Sequence, residues 1–491
     1  MTTDRSLSPA TASQAQTPLV SILKQCAQRS QAAFYTPGHK RGQGASELLR
    51  QLVGAQALRA DLPELPELDN LFAPAGPIRA AQTLAAIAFG AEETYFLANG
   101  STCGLQAAIL SVCSPGDKVL VPRQAHRAVF SALVLAGAMP VWLQPDYDLG
   151  WGVVRGVNLS QVEQALTQHP DIKVAVLVSP TYLGVCSDVA AIAQYLHQRG
   201  LPLLVDEAHG PHFCFHPDLP TSALAAGADL VVQSTHKVLG ALTQAAMLHV
   251  QGTLIERDRL GQALQMTQSS SPNYLLLASL DAARQQMATQ GYQLMAQTLK
   301  LAEKARSQLS TLAGLRVLSP ENLAPSPLDL TRLTIEVAGL GRTGFEVDEW
   351  LHNQLSVTAE LPTLSHLTFI ISLGNSAADI AQLVAAFRQL TAQTRSQPVV
   401  SIRPLPAYTP TPLLSPRQAF FAPAQTVSAA AAIGQISAEL ICPYPPGIPL
   451  VFPGEVIEPA AIAYLQAILK EGGVVTGCAD LSLQTLKVVK A

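Results

Sequence analysis

The sequence predicts an α/β protein whose large domain holds a mostly parallel sheet, and three observations carry that expectation. Short runs rich in β-branched and apolar residues, Lys118–Pro122, Lys173–Val178, Leu201–Val205 and Ala228–Val232, recur between about Ala80 and Val250. The segments between them, such as Asp188–Arg199, are long enough for crossover helices. Strands that alternate with helices pair in parallel and are covered on both faces. Composition agrees: 491 residues, 48% hydrophobic and 13% charged, fill a large core and argue against disorder.

Taken in order, Pro115-Gly116-Asp117 is a turn that feeds the strand Lys118–Pro122. The longest apolar run, Ala128–Leu143, is interrupted by Ser131, Gly137 and Pro140, so it reads as helix, turn and strand rather than a membrane span. The run Lys173–Val178 ends at Ser179-Pro180-Thr181-Tyr182, the run Leu201–Val205 at Asp206, and the run Ala228–Val232 leads into Gln233-Ser234-Thr235-His236-Lys237. Ligands of open α/β sheets gather beyond the carboxyl ends of strands. Thr181, Asp206 and the Ser234–Lys237 loop are therefore expected to converge. A helix-rich stretch from about Asn273 to Ala313, stopped at Gly314, leads to a smaller α/β segment with strands at Leu333–Val337 and Thr368–Ser372. Pro398–Pro416 reads as an extended linker. The expected division is an N-terminal segment 1–79, a large domain 80–314, a small α/β domain 315–397, the linker 398–416 and a C-terminal domain 417–491.

A net charge of −4 gives no bias toward a polyanion, so no nucleic-acid partner is expected. Seven cysteines (26, 103, 113, 186, 214, 442 and 478) are dispersed without a CxxC pair, which fits a reducing compartment better than a disulfide framework. Met1–Gln16 holds no basic stretch followed by an apolar one, so no secretory signal is expected. The expectation is a soluble cytoplasmic protein with no membrane partner.

Two runs carry the chemistry. Leu203-Leu204-Val205-Asp206-Glu207-Ala208-His209 is a buried strand ending in an acid, and Val231–Lys237 is a second ending in Ser234-Thr235-His236-Lys237. That pairing is what a pyridoxal 5'-phosphate enzyme needs: a lysine to hold the aldehyde as an imine and an acid to keep the ring nitrogen protonated. An imine-forming lysine must be partly deprotonated, which burial near a cation favours. The plain alternatives are a surface lysine opening a helix and a strand-end Asp capping a turn. Against the second, a buried Asp is costly unless paired. Asn99-Gly100-Ser101-Thr102 precedes the helical stretch Cys103–Val112, where N–H groups, dipole and hydroxyls suit a phosphate, with Ser101 and Thr102 as ligands. The same tetrapeptide also suits an ordinary N-cap. Asp206-x-x-His209-x-x-His212 has metal-like spacing, but no further His/Cys cluster lies nearby, and no metal is expected.

These motifs stand in a familiar order: Thr36-Pro37-Gly38-His39-Lys40, Asn99–Thr102, Val121-Pro122-Arg123, Asp206-Glu207-Ala208-His209-Gly210, Ser234–Lys237, Tyr444–Pro449 and Pro453-Gly454-Glu455. In this the chain resembles the prokaryotic ornithine/lysine/arginine decarboxylases, above all the shorter bacterial arginine and lysine decarboxylases. The resemblance implies the pyridoxal-phosphate-dependent transferase fold (fold type I) and decarboxylation of a basic L-amino acid in polyamine biosynthesis. Arginine to agmatine is favoured over lysine to cadaverine or ornithine to putrescine. It also implies roles: Lys237 for the imine, Asp206 for the ring nitrogen, His126 stacked on the ring, and Ser234 and His236 completing the phosphate cup. His209 is expected near cofactor or substrate. Ser270, in Ser269-Ser270-Ser271-Pro272-Asn273-Tyr274, matches a segment that in relatives reaches the neighbouring subunit's cofactor, which implies a homodimer or larger homo-oligomer with the site at its interface. Candidates for the carboxylate that meets the substrate's distal cation are Asp69, Glu439 and Glu455. Two other readings share the Asp and Lys: an aminotransferase of the same fold, and a non-catalytic pyridoxal-phosphate-binding protein.

Overall fold

The computed structural model describes residues 13–393, 412–444, 449–470 and 472–490. Residues 1–12 of the polar opening stretch, 398–411 of the Pro-rich linker, and 445–448 within the Tyr444–Pro449 turn lie outside the described residues.

Seven strands form the central sheet: β1 (Glu93–Leu97), β2 (Lys118–Pro122), β3 (Met139–Leu143), β4 (Ile172–Val178), β5 (Leu203–Asp206), β6 (Leu230–Gln233) and β7 (Ala246–Val250). Their order is β1-β7-β6-β5-β4-β2-β3. The sheet is mostly parallel: β2 is parallel to both of its neighbours, whereas β7 is antiparallel to both of its own. Val119–Val121, Val174–Leu177, Leu203–Val205 and Leu230–Val232 are all buried, the near-continuous apolar pattern of strands covered on both faces. The helix expected at Asp188–Arg199 is Val189–His197, capped by the Asp188 carboxylate, which accepts from Ala191 N at 3.1 Å. The run Ala128–Leu143 resolves as expected into the helix Arg127–Ala136, Gly137 at φ +71°, and β3. Strands β1 and β7 were not anticipated. Each carries a buried polar residue, Thr94 and His249, that breaks the apolar pattern.

The chain divides into two compact units, 1–111 with 205–296, and 112–204 with 297–491. This differs from the linear division expected from sequence, because compactness follows contacts rather than chain order. In the first unit the N-terminal segment is fastened to the helix Tyr274–Leu309. Asp281 accepts from Leu19 N and Val20 N at 3.0 and 3.3 Å, and Arg284 donates to Gln14 O and Gln16 O, both at 2.7 Å. In the second unit, Arg316–Val317, Arg332–Glu336, His366–Ile370 and Leu361–Pro362 make a four-stranded antiparallel sheet with its own core, including Ile335, Leu367, Val384 and Phe387. A further core of that unit gathers Ile441, Val451, Ile457, Leu465 and Val488. Among the described residues no helix is long and apolar enough to cross a membrane.

Candidate active site

Strand β5 delivers Asp206 at its carboxyl end, 4% exposed. Its Oδ1 accepts from Ala208 N at 3.1 Å. Burial raises the Asp206 carboxyl above its ordinary value, and the nearby Lys237 charge pulls it back down. Lys237 follows β6 in the short helix Thr235–Val238, and its Nζ lies 3.0 Å from His209 Nε2. A neutral His209 that accepts at Nε2 carries its proton on Nδ1. Aspartate, amine and imidazole are thus gathered in the first unit by the ends of two strands.

The phosphate candidates stand in the same unit. Ser234 Oγ donates to Ser101 Oγ at 2.8 Å, joining the loop after β6 to the loop after β1. The helix carrying Ser101 is Gly100–Val112, three residues longer at its start than the sequence suggests, so Ser101 and Thr102 lie in its first turn. Gly100 sits at φ +76°, a left-handed conformation that suits glycine and opens the turn. N–H groups of a helix's first turn lack intrahelical acceptors and suit an anion. Burial, then the Lys237 charge, lowers the His236 pKa, which keeps that ring neutral. Ser269–Ser271 form an exposed loop, and Ser269 N donates to Asn99 Oδ1 at 3.3 Å, so the segment lies beside the phosphate candidates of its own chain.

This donor set fits pyridoxal 5'-phosphate. A desolvated acid suits a protonated ring nitrogen, an amine suits an aldehyde, and hydroxyls with helix N–H groups suit a phosphate. Among the described residues no group of three or more His, Cys, Asp or Glu is arranged to hold a metal ion.

His126 and Thr181 belong to the second unit. His126 caps the helix Arg127–Ala136, its Nδ1 accepting from Ala128 N at 3.2 Å, so the neutral ring is protonated at Nε2 and its plane is fixed by the cap. Thr181 is buried, and its Oγ1 accepts from Val185 N at 3.2 Å.

The three carboxylates expected to meet the substrate's distal cation each have partners within their own chain. Asp69 accepts from the backbone N–H groups of Asn70, Ala75, Gly76, Ile78 and Arg79 at 2.7–3.4 Å, tying a loop to the start of the helix Pro77–Phe89. Burial alone would raise its pKa, but those N–H groups outweigh it and hold the carboxyl below its ordinary value. Glu439 accepts from Ala479 N and Lys487 N at 2.7 and 2.8 Å. Glu455 is fully buried and pairs with both terminal guanidinium nitrogens of Arg123, at 2.9 and 3.0 Å. Asp69→Ala is therefore expected to cost about 1–2 kcal/mol of stability, the scale of a lost helix cap, with KM for substrate unchanged. Because the folded pKa is depressed, the stability Asp69 contributes is present above the ordinary carboxylate range and is lost as pH falls through the folded value. Chemical denaturation of both proteins at two pH values, with a KM measurement, checks this.

Sequence reasoning missed the partner of Glu455. Arg123 Nη2 also donates to Leu450 O at 2.8 Å, and its guanidinium lies 5.3 and 4.9 Å from the Trp142 and Phe452 ring centroids. Both Arg123 and Glu455 stood in recognised motifs; their pairing across the fold has no local signal. Gly454 owes its place to this turn: it sits at φ +96°, and a Cβ there would meet Leu414 O at 2.3 Å.

Comparison with known proteins agrees with this geometry. Residues 17–328 match the family model of the Orn/Lys/Arg decarboxylase major domain, and residues 401–477 that of its C-terminal domain. The chain is 40% identical over 483 residues to the arginine decarboxylase of Bacillus subtilis, covering 97% of this chain and 99% of that one. It is 38% identical over 483 residues to that of Bacillus anthracis, covering 97% and 98%. Among solved structures, the lysine decarboxylase of Francisella novicida superposes with a TM-score of 0.84 at 23% identity, over 97% of this chain and 82% of that one, which shows the shared fold. The family models and the relatives that match nearly end to end lead to one conclusion: the chain belongs to the Orn/Lys/Arg decarboxylase family.

Proposed function

We propose that the protein decarboxylates a basic L-amino acid, arginine in preference to lysine or ornithine, with pyridoxal 5'-phosphate held between Asp206 and Lys237. The observation that carries this reading is the buried Asp206 carboxyl within the electrostatic reach of Lys237, whose amine is 3.0 Å from His209. When bound, pyridoxal 5'-phosphate supplies an aldehyde that joins amines and a ring that takes up the electron pair left as CO2 departs. Asp206 would pair with the ring nitrogen, and its burial would keep that proton from being lost to water. Lys237 Nζ would be the amine that holds the aldehyde. His209 Nε2 then stands within hydrogen-bond distance of the released amine and can exchange a proton with it. Ser101, Thr102, Ser234 and His236 would hold the phosphate, and the family resemblance assigns His126 to the cofactor ring.

The same reading makes the protein a cytoplasmic homodimer or larger homo-oligomer. Seven free cysteines, six of them buried, fit a reducing compartment. Ser270, exposed on its loop, leaves a hydroxyl available to the neighbouring subunit's cofactor. A small domain 315–397 and a C-terminal domain 417–491 are supported by the separate cores around Phe387 and Ile441, the first of which also takes in Leu301–Leu309 of the long helix.

Arginine is preferred because relatives spanning nearly the whole chain at 38–40% identity are arginine decarboxylases. A guanidinium also asks for a planar, bidentate acceptor that an ammonium does not need. Incubation with arginine, lysine and ornithine separately, scored by product, tests this. Agmatine as the dominant product is expected. Cadaverine or putrescine in its place would reject arginine, and a keto acid formed without CO2 would reject decarboxylation in favour of amino transfer.

A further inference from the structure

Beneath the residues assigned to the cofactor runs a line of buried polar side chains that the proposed chemistry does not use. Gln233 Nε2 donates to Glu207 Oε2 at 2.7 Å, His249 Nε2 lies 3.0 Å from Gln233 Oε1, and Thr94 Oγ1 lies 2.8 Å from His249 Nδ1. Ala223 N closes the far end on Glu207 Oε1 at 2.7 Å. All four side chains are at most 3% exposed, and the His249 ring stacks on Phe89 with centroids 4.9 Å apart. The line crosses the sheet through the end of β5, then β6, β7 and β1.

Its members are sequence neighbours of the site. Glu207 follows Asp206, Gln233 precedes Ser234, and Thr94 lies on the strand that leads to Ser101. Glu207 and Ser234 lie just past the ends of β5 and β6, directly next to Asp206 and Gln233 in the chain. The Glu207–Gln233 hydrogen bond, beside the backbone bond from Glu207 N to Val232 O at 3.0 Å, sets the lateral spacing of the ends of β5 and β6. We propose that Glu207, Gln233, His249 and Thr94 act as a positioning relay, holding the Asp206 carboxyl in register with the Ser234–Lys237 loop, with Glu207 carrying a proton. This rests on the reading of Asp206, Ser234 and Lys237 as cofactor residues.

The proton follows from the bonding. With both Glu207 oxygens accepting, the residue would be a second buried anion next to Asp206, which is costly. Side-chain amide oxygen and nitrogen are interchangeable by a half-turn. Turning the Gln233 amide reverses the relay. Glu207 then donates to Gln233 Oε1, Gln233 donates to His249 Nε2, and His249 donates from Nδ1 to Thr94 Oγ1. Every bond is kept and no member is charged. Burial pushes Glu207 up to about 8 and His249 down to about 3, so both are neutral at pH 7 in this arrangement. A purely apolar layer would fill the same space, but a chain of directional bonds also fixes strand spacing.

The test measures two quantities on the full-length protein: melting temperature without added cofactor, and the Kd for pyridoxal 5'-phosphate from the absorbance it gains on binding. Gln233→Leu and His249→Leu are expected to weaken binding about tenfold, the scale on which partners behind a ligand set act. Glu207→Gln, whose amide N–H replaces the acid proton in the reversed relay, is expected to stay within about twofold of the parent by the same measure. Should the leucine variants not fold, Thr94→Val, which removes only the terminal hydroxyl, carries the test, with binding weakened about threefold. Leucine variants that melt lower yet bind the cofactor as the parent does would reduce the relay to core packing and overturn the proposal. Equal losses in Glu207→Gln and Gln233→Leu would overturn the protonated arrangement. A parent protein that binds no cofactor would instead reject the assignment of the site itself, a result distinct from either.

Discussion

Lys237→Ala removes decarboxylation, with kcat expected to fall on the order of 10,000-fold, the scale on which loss of a covalent catalytic group is felt. The amine of Lys237 is the atom that would join the cofactor aldehyde, and its removal leaves Asp206 and the phosphate groups in place. The variant is therefore expected to bind pyridoxal 5'-phosphate non-covalently and to lack the visible absorbance of a conjugated imine. Folding should be retained, because Lys237 is only half-buried and alanine is favoured in the short helix Thr235–Val238. Stopped assays of CO2 release, with absorbance spectra of both proteins, check the prediction. Activity within tenfold of the parent would place the covalent chemistry elsewhere.

Arg123→Met is expected to lower stability by about 3–5 kcal/mol, because it leaves the carboxylate of Glu455 buried without its counter-ion. Arg123 is 2% exposed and Glu455 fully buried, and the guanidinium supplies two hydrogen bonds to that carboxylate and one to Leu450 O. Burial pushes the Glu455 carboxyl up, and Arg123 pulls it back. Without Arg123 the folded-state value rises further, so Glu455 keeps a proton in the folded chain that the unfolded chain sheds near its ordinary value of about 4. The folded state then binds more protons than the unfolded one, and stability must fall as pH rises from about 4 until the folded value is passed. Glu455→Gln should cost less than Arg123→Met, since the amide still accepts from Phe452 N, 2.9 Å away in the parent, and from Arg123. Urea titrations at several pH values separate the two. Equal losses that do not change with pH would mean that the pair is packed but not electrostatically significant.

Much of the architecture could be read from the chain because strands buried on both faces leave a continuous apolar signal. Lys118–Pro122 is the observed β2 residue for residue, and the other three predicted strands of the central sheet fall within about two residues of β4, β5 and β6. The signal fails where a buried face is polar. β7 holds a buried His249 that meets Gln233 and Thr94, and β1 holds the buried Thr94, so the apolar run of each is broken by a polar residue. The site followed the same logic. Asp206, Lys237, Ser101 and Ser234 stand at strand ends or the helix start, which local pattern marks, and the structure gathers them. Carboxylates without such a frame gave no local sign of their partners: Asp69, Glu439 and Glu455 meet backbone N–H groups or a guanidinium of their own chain. The Arg123–Glu455 contact joins residues of the two regions matched by the family models, a separation at which sequence carries no trace of pairing.

The central claim is that one amine, on residue 237, takes the cofactor aldehyde while the acid at 206 faces the ring nitrogen. Borohydride reduction of the protein saturated with pyridoxal 5'-phosphate, followed by mass mapping of the digested peptides, tests it most directly. A reduced cofactor adduct on the peptide carrying Lys237, absent from Lys237→Ala, is the predicted result. An adduct confined to another lysine, or none at all, would contradict it.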